Sequence, residues 1–397
     1  MKIAITGMGI ISSIGNTVEE NYQALLNKKT GISQIENFDT FHKEVIKVGE
    51  IKLSNEQLSK MLGLPEDNNF SRTAMLGAYA AKEAIQNANI LDVNAYKTGL
   101  ISATSVGGMD MTERYYYEYF ENPALWQYIK AHDAGHSTHK IADYIGLKGF
   151  VSTVSTACSS AANAIMLGAR MIASGQLDRV IVGGTDAMSK FTINGFKTLM
   201  ILSDTCNTPF DDQRKGLNLG EAAAFIVLES DKLIEKTGKQ VLAYLTGFGN
   251  ANDAYHQTAS SENGEGAFLA MQKAFKIADI QPDKIDYINV HGTATPNNDL
   301  SEGRAIIRAF EGYHIPEFSS TKAFTGHTLA AAAAIEAVYS ILALQKNKVF
   351  PNLNFKTPMK EFDLIPQTEL KDKEINYVLS NSFGFGGNCS TLIFSKK

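Results

Sequence analysis

Cysteine is scarce in this chain. Three occur in 397 residues, Cys158, Cys206 and Cys389. They are far apart and odd in number, which argues against a disulfide framework or a zinc site. A reducing compartment suits such a chain, and the expected location is the cytoplasm. Excess charge of one sign is also lacking: 37 Lys and Arg stand against 42 Asp and Glu, a net charge of −5. Neither a nucleic-acid-binding face nor a membrane-binding one is indicated. Long hydrophobic runs are missing. The longest apolar helical stretch, Leu329 to Leu344, contains Glu336 and is too short to span a bilayer. The opening segment, Met1 to Ile10, is too short and glycine-rich for a signal peptide and reads as a buried strand entering a glycine turn. Gly7 and Gly9 lack the third glycine of a dinucleotide-binding fingerprint, so a tight strand-to-loop turn is expected there. No linker, charge block or low-complexity run divides the chain.

What is present is ordinary globular composition, 44% hydrophobic and 20% charged, with length for a large core or two domains. Strand and helix patterns alternate, which predicts an α/β protein. A faint duplication runs through it. Residues 84–90, Ala-Ile-Gln-Asn-Ala-Asn-Ile, match residues 274–280, Ala-Phe-Lys-Ile-Ala-Asp-Ile. Each ends an amphipathic helix and leads to an apolar strand, Thr98–Ala103 in one case and Tyr287–Val290 in the other. Thr156-Ala157-Cys158 and Gly326-His327-Thr328 each open a further helix, with an Ile seven residues after Cys158 and after Thr328. Two similar halves are expected, 1–240 and 241–397. Residues 105–145 interrupt the first half with an aromatic stretch containing Tyr115, Tyr116, Tyr117, Tyr119, Phe120, Trp126 and Tyr128. An insertion of this kind shapes a pocket or a subunit interface.

Four segments carry chemistry. In Val154-Ser155-Thr156-Ala157-Cys158-Ser159-Ser160-Ala161 an extended run turns into an alanine-rich helix. A thiol there meets the positive end of the helix dipole and unpaired N–H groups, which favour the reactive thiolate. The same position also suits a small buried Cys packing at a helix start. In Asn289-Val290-His291-Gly292-Thr293-Ala294-Thr295-Pro296 a strand delivers His291 at its C-terminal end, where α/β folds place active sites, although an idle loop histidine has the same pattern. In Ser320-Thr321-Lys322-Ala323-Phe324-Thr325-Gly326-His327 a second histidine precedes a helix, which pushes it toward its neutral form. Glu336 lies nine residues after His327 and could pair with Lys322 or be an ordinary helix residue. In Asn381-Ser382-Phe383-Gly384-Phe385-Gly386-Gly387-Asn388 three glycines make a pliable loop that can present a backbone N–H and swing an aromatic ring, or simply close a hairpin.

Together, in this order, these segments resemble the β-ketoacyl-[acyl-carrier-protein] synthases of the thiolase superfamily. The resemblance is to the elongating class with a Cys-His-His site, and within it to synthase II. It spans nearly the whole chain, from Thr6-Gly7-Met8-Gly9-Ile10 through Gly183-Gly184, Phe210-Asp211 and Leu219-Gly220-Glu221-Ala222 to Phe383-Gly384-Phe385-Gly386-Gly387. It implies a dimer with a five-layered αβαβα sandwich of two pseudo-repeated halves. It implies that Cys158 carries the acyl chain as a thioester and that His291 and His327 stabilise the enolate left when a malonyl carrier loses CO2. The N–H groups of Cys158 and Phe385 would form the oxyanion hole. Lys322 would orient the surroundings of the second histidine with Glu336 as partner, and Asp299 and Glu302 match acidic positions of that network. Thr293 and Thr295 would contact pantetheine, Phe383 and Gly386 would line the substrate site, Phe385 would gate it, and Val106 falls at the chain-length gate. No metal or other cofactor is implied. The implied partner is acyl carrier protein, with a homodimer or a heterodimer with a related subunit.

The sequence also departs from that family. The common gate loop reads Gly-Gly-Thr-Asn, but here Gly386-Gly387-Asn388-Cys389 stands. Thr208 replaces a frequent Arg before Pro209-Phe210-Asp211, and residues 55–72 offer only Lys60 and Arg72 to an acidic carrier. These departures, with the aromatic insertion, sustain an alternative: the catalytic ketosynthase of a specialised polyketide or aryl-polyene-type pathway, paired with a cysteine-less partner. A non-catalytic chain-length subunit would lack Cys158, and a degradative thiolase would carry a second cysteine as base in place of Lys322 and two histidines.

Overall fold

The computed structural model describes residues 2–37 and 40–396. Ten strands form the main sheet: β1 Ile3–Ser12, β2 Thr98–Ala103, β3 Phe150–Val154, β4 Arg179–Asp186, β5 Ala222–Glu229, β6 Ala243–Asn252, β7 Tyr287–Asn289, β8 Glu317–Ser319, β9 Tyr377–Phe383 and β10 Asn388–Ser395. Among the described residues, six helices of eleven residues or more pack on it: α1 Arg72–Asn87, α2 Ala134–Tyr144, α3 Ser160–Ala173, α4 Glu265–Ala278, α5 Pro296–Ala309 and α6 Ala332–Lys346. Across the sheet the order is β8-β7-β9-β10-β6-β1-β5-β4-β2-β3. Read inward from either edge, each half gives the order 3-2-4-5-1. The pairing senses repeat as well, with β2, β3 and β4 mutually parallel like β7, β8 and β9, and β5 and β10 antiparallel to their neighbours. Each half is β-α-β-α-β-α-β-β, and the halves join edge to edge where Ile3 to Ile5 pair with Ala243 to Leu245.

The layers follow from which faces are apolar. Helices α1 and α2 cover the outer face of the first half and α4 and α5 that of the second, while α3 and α6 pack against each other between them. This is the five-layered αβαβα sandwich. Strands buried on both faces are almost wholly apolar, as in Ile3 to Ile11, with Thr6 the exception, and Ala222 to Leu228. Helix α6 is buried on every side from Ala332 to Leu344, which is why its apolar residues show no stripe. With its opening turn, residues 329–346 are long and apolar enough to cross a membrane, but 89% of that stretch is buried inside the protein.

The duplication explains Gly7 and Gly9. A Cβ on Gly9 would lie 2.2 Å from the Ala80 carbonyl oxygen, and one on Gly249 2.0 Å from that of Ala270. Gly7 and Gly247 abut the same helices, α1 and α4. Thr6-Gly7-Met8-Gly9 is therefore repeated as Thr246-Gly247-Phe248-Gly249, and in both places the glycines let an alanine-faced helix lie on the strand. The expected strand-to-loop turn gives way to a strand that continues to Ser12.

Two sequence expectations shift. The stretch 105–145 includes α2, the counterpart of α5, so the added segment ends near residue 133, and short helical turns at Met109–Tyr115 and Trp126–Ile129 fill it. The helix expected to open at Gly326 instead begins with a turn at Leu329–Ala331. Ala157 and Leu329 each hold φ near +54° just before α3 and α6 (53° and 54°), so Cys158 corresponds to Ala330 and not to Thr328.

Candidate active site

The nucleophile candidate stands on a sharp elbow. β3 ends at Val154, Ala157 takes a left-handed conformation, and α3 begins at Ser160. A small side chain tolerates φ 53° at lower cost than a branched one. In the second half the same elbow is spent on structure: the Ala330 N–H donates to Asp186 Oδ2 at 2.9 Å. At Cys158 the backbone N–H groups of Cys158 and of Phe385 instead lie near enough to the thiol to favour its thiolate. These are the two N–H groups expected to form the oxyanion hole.

His291 follows β7. Its backbone N–H and that of Gly292 donate to the two oxygens of buried Glu302, both at 2.8 Å. His327 follows Gly326, whose φ of 73° and crowding against the Leu219 carbonyl demand glycine. Its N–H donates to the Asn218 carbonyl at 2.7 Å, and its carbonyl accepts from Gly220 at 2.9 Å. The histidine rings lie 5.5 Å apart at 88°. Cys158, His291 and His327 bring one donor atom each within 4.8 Å of one another.

Electrostatics set the protonation states. Burial, with the charge of Lys322, pushes His327 down to about 3 and holds His291 well below the usual histidine range. Both rings are neutral. His327 Nδ1 accepts from the Leu329 N–H at 3.0 Å, so its proton sits on Nε2. Among the described residues, His291 Nδ1 is buried without a protein partner. Cys158 runs against the sequence expectation. Burial pushes its thiol up to about 11, outweighing Lys322 and the two N–H donors that favour the thiolate. The Cys-His-His set has the composition of a zinc site. The donors do not fit a metal, because one His327 nitrogen carries its proton and the other is occupied by Leu329.

Lys322 is fully buried and ion-paired with Glu336, which also meets Ser382. Asp299 accepts from Phe210 N at 2.7 Å and Ala294 N at 3.1 Å, bracing the loop that carries Thr293 and Thr295. Burial raises Asp299, and raises Glu302 to about 7. Thr293, Thr295, Phe383, Phe385 and Gly386 line, with the Cys-His-His set, a cavity of about 360 Å³. Val106 lies outside it, packed on the apolar cluster of Met188, Ile193 and Leu217, and Leu217 is shared with the cavity wall.

Residues 1–233 match the β-ketoacyl synthase N-terminal domain and residues 242–356 the β-ketoacyl synthase C-terminal domain. The chain belongs to the β-ketoacyl synthase family. This synthase is 34% identical over 410 residues to 3-oxoacyl-[acyl-carrier-protein] synthase 2 of Staphylococcus aureus (strain MRSA252), covering 100% of this chain and 98% of that protein. It is 32% identical over 411 residues to the synthase 2 of Vibrio harveyi, with the same coverage. Among solved structures it is similar to the ishigamide ketosynthase/chain length factor, with a TM-score of 0.91, 27% identity and coverage of 100% and 99%. The ketosynthase ApeO in complex with its chain length factor ApeC from Xenorhabdus doucetiae gives a TM-score of 0.86, 29% identity and coverage of 100% and 98%.

Three features of the synthase went unread in the sequence. Buried Asp186, at the end of β4, accepts from Thr104, from the N–H groups of Ser105 and Val106, and from Ala330, tying the Val106 loop to the turn beside His327. A carboxylate closing an apolar strand after Gly183-Gly184 was its only signal. Phe196 stacks on Phe385 at 5.9 Å. Arg72, counted as a surface cation, is buried in a two-bond pair with Glu221 (2.9 and 2.6 Å) and is withdrawn from any carrier surface.

Proposed function

We propose that the protein lengthens an acyl chain by decarboxylative condensation on Cys158. The observation that carries this is the convergence of Cys158, His291 and His327 on one cavity wall with two N–H donors at the thiol. The Cys158 sulfur attacks the thioester of an acyl carrier. The carrier thiol leaves with the proton that Cys158 gives up, and the chain stays as a Cys158 thioester. A malonyl carrier then enters past Thr293 and Thr295. Its carboxylate departs as CO2, and the electron pair moves onto the thioester oxygen, where the neutral histidines donate. The enolate carbon attacks the acyl-Cys158 carbonyl. The oxyanion formed there is held by the Cys158 and Phe385 N–H groups, and its collapse expels the Cys158 thiolate and leaves a β-ketoacyl carrier. Lys322 favours both anionic steps by its charge and stays out of the bond changes.

A second, finer reading concerns pathway and partner. The added segment before α2 presents Tyr117, Phe120 and Trp126 to solvent beside a Tyr115–Tyr128 stack at 4.5 Å. Strand β3 is the outermost strand of its half. An aromatic surface and an open strand edge are what a second subunit covers. With structural neighbours named as ketosynthase and chain length factor, this supports a specialised chain-building pathway with a related partner subunit. The free thiols support work in the cytoplasm.

Intact mass spectrometry after incubation with carriers bearing short, long, branched and polyene chains tests both readings, with Cys158→Ala as control. Uptake of ordinary saturated chains supports fatty-acid elongation. Uptake of unusual chains alone, or only with a partner subunit, supports the specialised pathway. No mass increase with any donor would refute the nucleophile assignment.

A further inference from the structure

The gate loop departs from its family at Asn388, and the structure gives that residue a use. The Asn388 side-chain oxygen faces three donors: Asn163 Nδ2 at 2.8 Å, Asn250 Nδ2 at 2.9 Å and, at 2.8 Å, Ser159 Oγ, whose single proton is shared with the Thr156 carbonyl, also at 2.8 Å. Turning the amide over would set its NH2 against two others, so the oxygen belongs there. The Asn388 backbone carbonyl accepts from the Gly384 N–H at 2.8 Å, closing the loop that carries Phe385. Ser159 directly follows the nucleophile, and Asn163 also reaches Thr156 Oγ1 at 2.8 Å, just before it. Asn163 and Asn250 are themselves joined at 3.1 Å. One residue thus holds both sources of the oxyanion hole, the Cys158 elbow through its side chain and the Phe385 loop through its carbonyl. The threonine common at this place carries its oxygen one bond nearer the backbone and cannot put it at the same point.

We propose that Asn388 is a positioning residue that fixes the Phe385 N–H relative to the Cys158 N–H. The steps that pass through a tetrahedral oxyanion on the acyl carbonyl depend on that spacing. Loss of CO2 from the malonyl group depends on His291 and His327 and does not. The inference rests on the condensation reading above, and acyl uptake by the unaltered protein checks that reading separately.

The experiment compares two steps in Asn388→Ala. Acylation of Cys158 is followed by intact mass after mixing with an acyl carrier. CO2 release from a malonyl carrier is followed in the Cys158→Ala background, with and without Asn388→Ala. Acylation is expected to fall by about 10- to 100-fold, somewhat less than deletion of an oxyanion donor, while CO2 release changes by less than about threefold. Equal losses in both steps would mean general disruption and overturn the proposal. Acylation within about twofold of the unaltered protein would overturn it as well. Ser159→Ala removes one donor to the hub and leaves the loop sequence intact. It should show the same split at smaller size, and it decides the matter if Asn388→Ala fails to fold.

Discussion

The backbone N–H of Leu329 lies 3.0 Å from Nδ1 of His327, and that bond leaves Nε2 as the nitrogen that carries the ring's proton. Leu329 reaches this place only by holding φ at 54° in the turn before α6. Next along the chain, the Ala330 N–H binds Asp186, so the turn is anchored on both sides of the histidine's acceptor.

A donor fixed in this way should matter for enolate formation and little for thioester exchange. His327→Ala and His291→Ala are each expected to lower CO2 release from a malonyl carrier by roughly 10²- to 10³-fold. Acylation of Cys158, read by intact mass, should remain largely intact. Release of CO2 at the unaltered rate in both variants would refute the assignment.

The depressed histidines predict the pH behaviour. With His327 titrating near 3, the donors stay neutral from pH 5 to 8, and CO2 release in Cys158→Ala should show no histidine step there. Because Glu302 titrates in the same range, the deciding signal is the His327 ring itself: a ring resonance titrating between about 6 and 7 by NMR would contradict the prediction. The sign for stability is the opposite of a salt-bridged histidine. Between its ordinary 6.5 and the folded value near 3, the unfolded chain binds a proton that the folded one refuses. The histidine therefore favours unfolding as pH falls through that window, whereas Glu302, raised to about 7, favours the folded form as pH falls from 7 toward 4.5, so the histidine effect is read as the difference between the unaltered protein and His327→Ala in urea unfolding at stepped pH.

The thiol is shifted the other way. Because burial lifts Cys158 to about 11, its alkylation by iodoacetamide should still be accelerating with pH at pH 9. A plateau near neutrality would show that the helix end and Lys322 prevail over burial.

Lys322 and Glu336 are both buried, and removing one charge strands the other. Lys322→Ala should cost about 3–5 kcal/mol in chemical unfolding. A Lys322→Met, Glu336→Leu pair should cost clearly less, while still raising the histidine pKa values seen by NMR, because the nearby positive charge is gone. Equal cost for the single and double changes would argue against a desolvated pair.

Gly249→Ala tests the packing account of the repeated glycines. Its Cβ would fall 2.0 Å from the Ala270 carbonyl oxygen, so strand β6 or helix α4 must shift. About 3 kcal/mol or more of destabilisation is expected by thermal unfolding. A stable, active variant would return these glycines to a role outside packing.

The sequence by itself determined the α/β class, the existence of a repeat, and the residue types at the strand ends. It could do so because these are local matters: an apolar strand, a helix start and a glycine loop are written in consecutive residues. It misjudged what depends on neighbours distant in the chain. The Cys158 thiol looked activated because its helix is local, whereas His291, His327 and Phe385, which close around the buried thiol, lie more than a hundred residues away. The repeat was misaligned by two positions because its marker, the left-handed φ shared by Ala157 and Leu329, is conformational. Arg72 read as a surface cation until Glu221, 149 residues on, was found against it. The tautomer of His327 is set locally, by the left-handed Leu329 two residues on, whereas tertiary structure alone decided the anchoring of Val106 and Ala330 on Asp186 and the convergence of three side chains on Asn388. Both rest on hydrogen bonds between segments that only packing brings within 3 Å or so, and no spacing along the chain encodes that distance.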